Sequence, residues 1–282
     1  MILLAERISK SFGERRVLNN VDISCQAGEI RGVLGENGAG KTTLFKVLLG
    51  LVSKEKGKVI VNSNHKKPLG GIVEKPSLYE YLSAVENLRV FSRIQGLQLT
   101  DHETEVLLKR VGLPIERRDV VKNFSLGMKQ RLGIAVALLN NPSCLILDEP
   151  FSGLDPMGIT ALRSLILKLA KEDGLAILLS SHIIEELSKV CDYLYVIKKG
   201  EVIKFGDTQK LINQCSKCYH FYGLDIELSN SLKPFSIYVE TGHILAEIKQ
   251  VEIPSILSKL YEEGIQITSC YPEIDMNQLF EV

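Results

Sequence analysis

Eight consecutive residues, Gly35-Glu36-Asn37-Gly38-Ala39-Gly40-Lys41-Thr42, have the make-up of a phosphate cradle. Glycines let the backbone wrap closely, so that its N–H groups and the start of a following helix face anionic oxygens. Lys41 sets an ammonium where the β- and γ-phosphates of a nucleotide would lie, and the Thr42 hydroxyl is an oxygen donor suited to Mg²⁺. A second group is Asp148-Glu149, which follows the apolar run Leu145-Ile146-Leu147. An aspartate ending a buried strand can hold Mg²⁺. The adjacent Glu149, beside the γ-phosphate position, can orient and deprotonate an attacking water. A glycine turn or an Asp-Glu-Pro turn is unremarkable alone. Paired, they argue for a nucleotide triphosphate and its hydrolysis.

The surrounding elements are those that such a site requires. Glu29 to Leu34 reads as a strand running straight into the glycine loop, and Leu44, Val47, Leu48 and Leu51 then recur at helical spacing. Cys144–Leu147 and Leu175 to Leu179 are short continuous apolar runs, as expected of strands buried on both faces of a parallel sheet. The latter ends at Ser180-Ser181-His182. Ile2 to Ile8 and Val17 to Cys25 read as strands, Gly71 to Pro114 as mainly helical, Ser125 to Asn140 and Ala161 to Lys171 as helices. Ile183 to Lys189 is a further helix, and Tyr193 to Ile197 with Glu201 to Phe205 form a hairpin around Lys199-Gly200. Alternating strands and helices specify an α/β domain over residues 1–210. The remainder, 211–282, reads as a small α+β appendage, with strands at Ser236 to Glu240, Ile244 to Ile248 and Ile265 to Ser269 and a helix opened by Pro254.

Composition narrows the class. The 282 residues carry 34 basic and 34 acidic side chains, so a nucleic-acid footprint, which needs a Lys/Arg excess, is not expected. No apolar run approaches the roughly 20 residues that span a bilayer. The N-terminal Met1-Ile2-Leu3-Leu4-Ala5-Glu6-Arg7 reaches charge too early for a secretory signal. Six cysteines in a chain of this size do not suggest a disulfide scaffold. The expectation is a cytosolic protein whose membrane role, if any, comes through a partner. Cys215-Ser216-Lys217-Cys218 with His220 invites a zinc reading, but lacks nearby ligands to complete a set of about four, so no structural metal is expected there.

The ordered motifs resemble those of the ATP-binding cassette (ABC) ATPases. Asp148-Glu149-Pro150-Phe151-Ser152-Gly153-Leu154-Asp155-Pro156 is similar to the family's joined Walker B and D-loop segment, and Ser180-Ser181-His182 to its switch histidine. Phe124-Ser125-Leu126-Gly127-Met128-Lys129-Gln130-Arg131 stands where the family has its signature, and Phe12 where it has the aromatic that stacks on adenine. The resemblance implies a P-loop ABC ATPase fold, a RecA-like core with an antiparallel β subdomain and a helical subdomain at about 76–140. It implies ATP and Mg²⁺ as ligands, with Glu149, His182 and Lys41 as the catalytic group. Phe12, residues Gly35 to Thr42 and Thr43 would hold the nucleotide, and Thr42, Glu74 and Asp148 the metal. Ser125 and Gly127 would reach the γ-phosphate held by a second copy of the chain, and Asp155 would join the two sites.

Two departures narrow the subfamily. Leu126 replaces one signature glycine, while Ser125 and Gly127 remain. Glu74 stands where the family has a glutamine, keeping a metal-binding oxygen but adding charge. Glu74, the following Tyr79-Glu80-Tyr81-Leu82-Ser83-Ala84-Val85-Glu86-Asn87-Leu88 and the Ser-Leu-Gly-Met run resemble the ATPases of lantibiotic-immunity and bacitracin-resistance exporters. That resemblance implies a homodimer on the cytoplasmic face of the membrane, driving a separate permease whose cytoplasmic helix docks near Tyr79 and Tyr81. Leu88 and Phe91 read instead as internal core. Export of a drug, lipid, ion or polysaccharide is the alternative. A soluble ABC ATPase acting on ribosomes or DNA is a further one, disfavoured by the single cassette and the lack of a heptad block.

Overall fold

The computed structural model describes residues 1–281, and the chain divides into two compact units, Met1–Phe205 and Gly206–Val282. In chain order the first unit contains β1 (Leu3–Phe12), β2 (Arg15–Cys25), β3 (Ile30–Leu34), α1 (Lys41–Leu48), β4 (Lys56–Val61), β5 (Leu69–Ile72), α2 (Ala84–Ile94) and α3 (Asp101–Arg110). It continues with α4 (Leu126–Leu138), β6 (Cys144–Leu147), α5 (Pro156–Lys171), β7 (Ala176–Ser181), α6 (Ile184–Ser188), β8 (Tyr193–Lys198) and β9 (Glu201–Asp207), the last strand reaching just past the boundary.

Two sheets build this unit. One is six-stranded, in the order β5-β6-β7-β3-β8-β9, and the other is an antiparallel sheet of order β2-β1-β4. Every residue of β3, β6 and β7 is buried, so these strands are mainly apolar and do not alternate, with Arg31 in β3 and Ser180 and Ser181 in β7 as buried polar exceptions. The pairs β5–β6, β6–β7, β7–β3 and β3–β8 are all parallel. Their registers align Ile72 with Leu147, Leu147 with Leu179 and Leu34 with Ser181, so the carboxyl ends of four strands emerge at one edge. Loops leaving that edge are the usual location of ligand sites in open α/β sheets. The two sheets share a core in which Phe45, Leu44, Ile146, Leu178 and Ile197 pack with Leu3, Ile8 and Val21.

The helices start where their capping residues place them. Ser83 and Glu86 form a reciprocal capping box on α2, Ser125 accepts from the Met128 N–H to open α4, and Asp155 with Pro156 opens α5. Leu88 is fully buried and Phe91 partly so, as their helical spacing predicts, whereas Ile94 at the end of α2 is 65% exposed. Tyr79 packs on Phe91 with ring centroids 5.5 Å apart, and the buried Asn87 side chain bonds both the N–H and the carbonyl of Tyr79. Tyr81 projects into solvent.

The second unit holds α7 (Thr208–Gln214), β10 (Cys218–Leu224), β11 (Ser236–Glu240), β12 (His243–Glu247), α8 (Ile253–Glu262), β13 (Gln266–Glu273) and α9 (Met276–Phe280). Its four strands form an antiparallel sheet of order β11-β12-β10-β13. Tyr219, Phe221, Ile244 and Ala246 face α8, where Ile256 and Leu260 complete a small core. Cys218 and His220 lie on the opposite face of β10. His220 bonds His243 at 3.0 Å, and among the described residues no cluster of His, Cys, Asp or Glu is arranged to hold a metal.

Candidate active site

The loop between β3 and α1 closes on itself because two of its glycines have no room for a side chain. Gly40, which precedes α1, has φ 109°, and a Cβ there would sit 2.8 Å from the Val17 carbonyl oxygen. At Gly35 the same atom would meet the Ile197 carbonyl at 2.7 Å. The turn so formed exposes Glu36, Asn37 and Gly38, with Ala39 buried beneath them. Lys41, 5% exposed, folds back over the loop: its Nζ donates to the carbonyls of Gly35 at 2.6 Å and Glu36 at 3.2 Å.

The ends of β6 and β7 bring their polar residues to this loop. The Thr42 hydroxyl donates to Asp148 Oδ2 at 2.7 Å, tying the helix start to the end of β6. Glu149 lies 3.2 Å from Lys41 Nζ through Oε1 and 3.0 Å from His182 Nδ1 through Oε2. With Glu149 ionised, His182 Nδ1 is the donor in that contact. Lys41, Glu149 and His182 thus form one chain of charge-assisted contacts joining the ends of β3, β6 and β7.

Around them opens a cleft of about 490 Å³, within the range of small-molecule sites. Its lining combines Phe12, Arg15 and Val17 with Asn37, Gly38, Gly40 and Lys41 to Thr43 of the glycine loop and α1, and with Glu149, Ser152 and His182. Phe12, a lining residue, is 53% exposed and carries the Lys10 ammonium over its ring, 5.1 Å from the ring centre. Arg15 and Val17 line the cleft although no motif marks them in the sequence, and Ser152 joins them from the Asp148–Pro156 segment, where sequence alone assigns it no role.

Other candidate residues stand apart. Glu74 does not line the cleft. Its backbone is left-handed (φ 66°), its side chain is 64% exposed, and it pairs with Lys46 Nζ at 2.7 Å. The bond from Lys46 and its positive charge hold the Glu74 carboxyl below the ordinary carboxylate range. Ser125 and Gly127, at the start of α4, and the exposed Asp155, which accepts from the Gly158 N–H at 2.8 Å, also do not line it. Gly127 lies near Gly158 and Leu154 of the same chain, so these three residues form a neighbourhood of their own.

The chain is similar to known ATP-binding transport proteins. A family model described as "ABC transporter" matches residues 18–152. The chain is 42% identical over 207 residues to the lantibiotic transport ATP-binding protein SrtF of Streptococcus pyogenes, covering 72% of this chain and 89% of that protein. It is 43% identical over 211 residues to the bacitracin transport ATP-binding protein BcrA of Bacillus licheniformis, covering 72% and 69%. A solved structure of an ATP-binding subunit of an ABC transporter superposes with a TM-score of 0.65 at 32% identity, covering 76% of this chain and 93% of the other.

Proposed function

Because this chain belongs to the ABC transporter family of ATPases, we propose that it powers export of an antimicrobial peptide, of the lantibiotic or bacitracin kind, through a separate membrane subunit. It is a nucleotide-binding ATP hydrolase. The observation that carries the catalytic reading is the meeting of Lys41, Thr42, Asp148, Glu149 and His182 at one edge of the sheet. The cargo reading rests on the similarity to SrtF and BcrA, whose names state lantibiotic and bacitracin transport.

In this reading Phe12 stacks on the adenine and the loop from Gly35 to Thr43 wraps the phosphates. Lys41 exchanges its carbonyl and Glu149 contacts for phosphate oxygens. Glu149 is thereby released from one ion pair while His182 still holds its other oxygen. A carboxylate so placed takes a proton from the attacking water. The Thr42 hydroxyl and Asp148 carboxylate, 2.7 Å apart, are hard oxygen donors of the type Mg²⁺ favours. When bound, the metal neutralises phosphate charge. Glu74 is the third oxygen donor in this reading, and joining the other two requires parting from Lys46.

Ser125, Gly127 and Asp155 lie outside the cleft of their own chain, which is the reason to assign them to the nucleotide of a second copy. Residues 76–140 serve as the helical subdomain facing the permease, with Tyr81 exposed to meet it, and the C-terminal unit is an accessory domain. Among the described residues no helix is long and apolar enough to cross a membrane, so this reading places the chain on the cytoplasmic face of a permease. The test is steady-state ATPase activity of Glu149→Gln. It should fall by about 10²- to 10⁴-fold with nucleotide affinity retained, and near-native turnover would remove Glu149 as the base.

A further inference from the structure

We infer that Ser180 is a positioning residue for hydrolysis, its buried hydroxyl setting both the orientation of Asp148 and the backbone turn that aims Glu149. This rests on the roles proposed above for those two carboxylates. Ser180 is fully buried near the end of β7. Its Oγ donates to Asp148 Oδ1 at 2.6 Å and accepts from the Glu149 N–H at 2.9 Å. A hydroxyl has one hydrogen and two lone pairs. Committing the hydrogen to the carboxylate leaves a lone pair for the amide, so the two bonds are compatible.

Each bond has a separate consequence. The first occupies one Asp148 oxygen and leaves the other, Oδ2, facing the Thr42 hydroxyl. The Asp148 carboxylate is thus gripped from both sides in a residue only 2% exposed. The second acts on Glu149, whose φ of 47° lies in the left-handed region that residues with a Cβ seldom enter. Such a conformation persists where its surroundings determine it. The bond to Ser180 satisfies the N–H of that strained residue, and the Ser152 N–H caps its carbonyl at 3.1 Å.

The rest of β7 gives no other reason for a polar residue here. Ala176-Ile177-Leu178-Leu179 is apolar and fully buried. Ser181 has a different task, donating to Glu186 at 2.7 Å and accepting from the Ile183 N–H at 3.0 Å. Replacing Ser180 with an apolar residue would leave a buried carboxylate oxygen and a buried N–H without these partners. Ser180 lines no part of the cleft, so it acts through its neighbours and not on the nucleotide.

The experiment compares kcat, KM, nucleotide affinity and thermal midpoint for the full chain and its Ser180→Ala and Ser180→Thr variants, with Glu149→Gln alongside. Ser180→Ala should lower kcat by about 10- to 100-fold while Mg²⁺-free ATP affinity changes by less than about twofold. Ser180→Thr, which keeps the hydroxyl on a strand-favouring residue, should recover kcat to within about threefold of the native chain. An alanine variant as fast as the native chain, or a threonine variant as slow as alanine, overturns the inference. Should Ser180→Ala lose its folding transition, Ser180→Cys, close in size but a weak hydrogen-bonding group, decides by the same criteria. If Glu149→Gln still turns over, the assignment of the base has failed. If only the Ser180 variants stay fast, this inference alone has failed.

Discussion

Glu149 is paired with Lys41 and with His182, and in the function proposed here ATP would displace only the first of these contacts. The Lys41 contact holds one oxygen of the carboxylate, and the His182 contact restrains the second. Glu74 is arranged differently, bound to the exposed end of Lys46 and outside the cleft. Exposed pairs of this kind contribute little to stability. Glu74→Gln should therefore leave the thermal midpoint unchanged and shift the Mg²⁺ concentration for half-maximal ATPase activity. Identical Mg²⁺ titrations and rates for the two proteins would remove Glu74 from the metal site. Lys46 lies 28 residues from Glu74, and Ser180 lies 32 from Asp148. No local spacing rule announces such pairs, which is why the sequence shows the chemistry-bearing motifs but not the residues that orient them.

At the scale of elements, the glycine loop depends on its glycines by geometry. Gly40→Ala would put a methyl group against the Val17 carbonyl at a φ that disfavours any Cβ. We predict a loss of stability of about 1–3 kcal/mol together with loss of ATP binding, measured by denaturant melts and fluorescent-nucleotide titration. Retained binding at native stability would mean that the loop is differently built. Strands β3, β6 and β7 are legible in the sequence because burial on both faces favours apolar residues, polar ones such as Arg31 and Ser180 being kept where they have hydrogen-bond partners. Three other strands are not, and one of them, the four-residue β5, ends in Gly71-Ile72, where the sequence predicts the start of a mainly helical stretch. In β4 the sequence Lys56-Gly57-Lys58 is exposed, so half of the strand lacks an apolar signal. In β10 the inward Tyr219 and Phe221 alternate with Cys218, His220 and Tyr222, and aromatic residues on both faces erase the period-two contrast. The paired cysteines there suggest a ligand motif, whereas Cys215 ends α7 and Cys218 begins β10.

At the scale of the whole molecule, the account requires two copies to close around ATP. Ser125, Gly127 and Asp155, at the starts of α4 and α5, do not line the cleft of their own chain, and in the function proposed here a second chain would give them a nucleotide to meet. Glu149→Gln, unable to hydrolyse, should form an ATP-dependent dimer by size-exclusion chromatography with light scattering. Adding Gly127→Asp should abolish that dimer through repulsion of the γ-phosphate, while leaving ATP binding to the monomer intact. A persistent dimer in the double variant would place the interface elsewhere. The function proposed for this ATPase is to drive peptide export. Its most direct test replaces Lys41 with Ala in the organism that encodes the chain, with protein level checked, and measures sensitivity to a panel of lantibiotics and bacitracin-like peptides. The account predicts selective sensitisation to at least one of these peptides. Unchanged sensitivity across the panel, with ATPase activity abolished, would contradict it and assign the motor to another cargo.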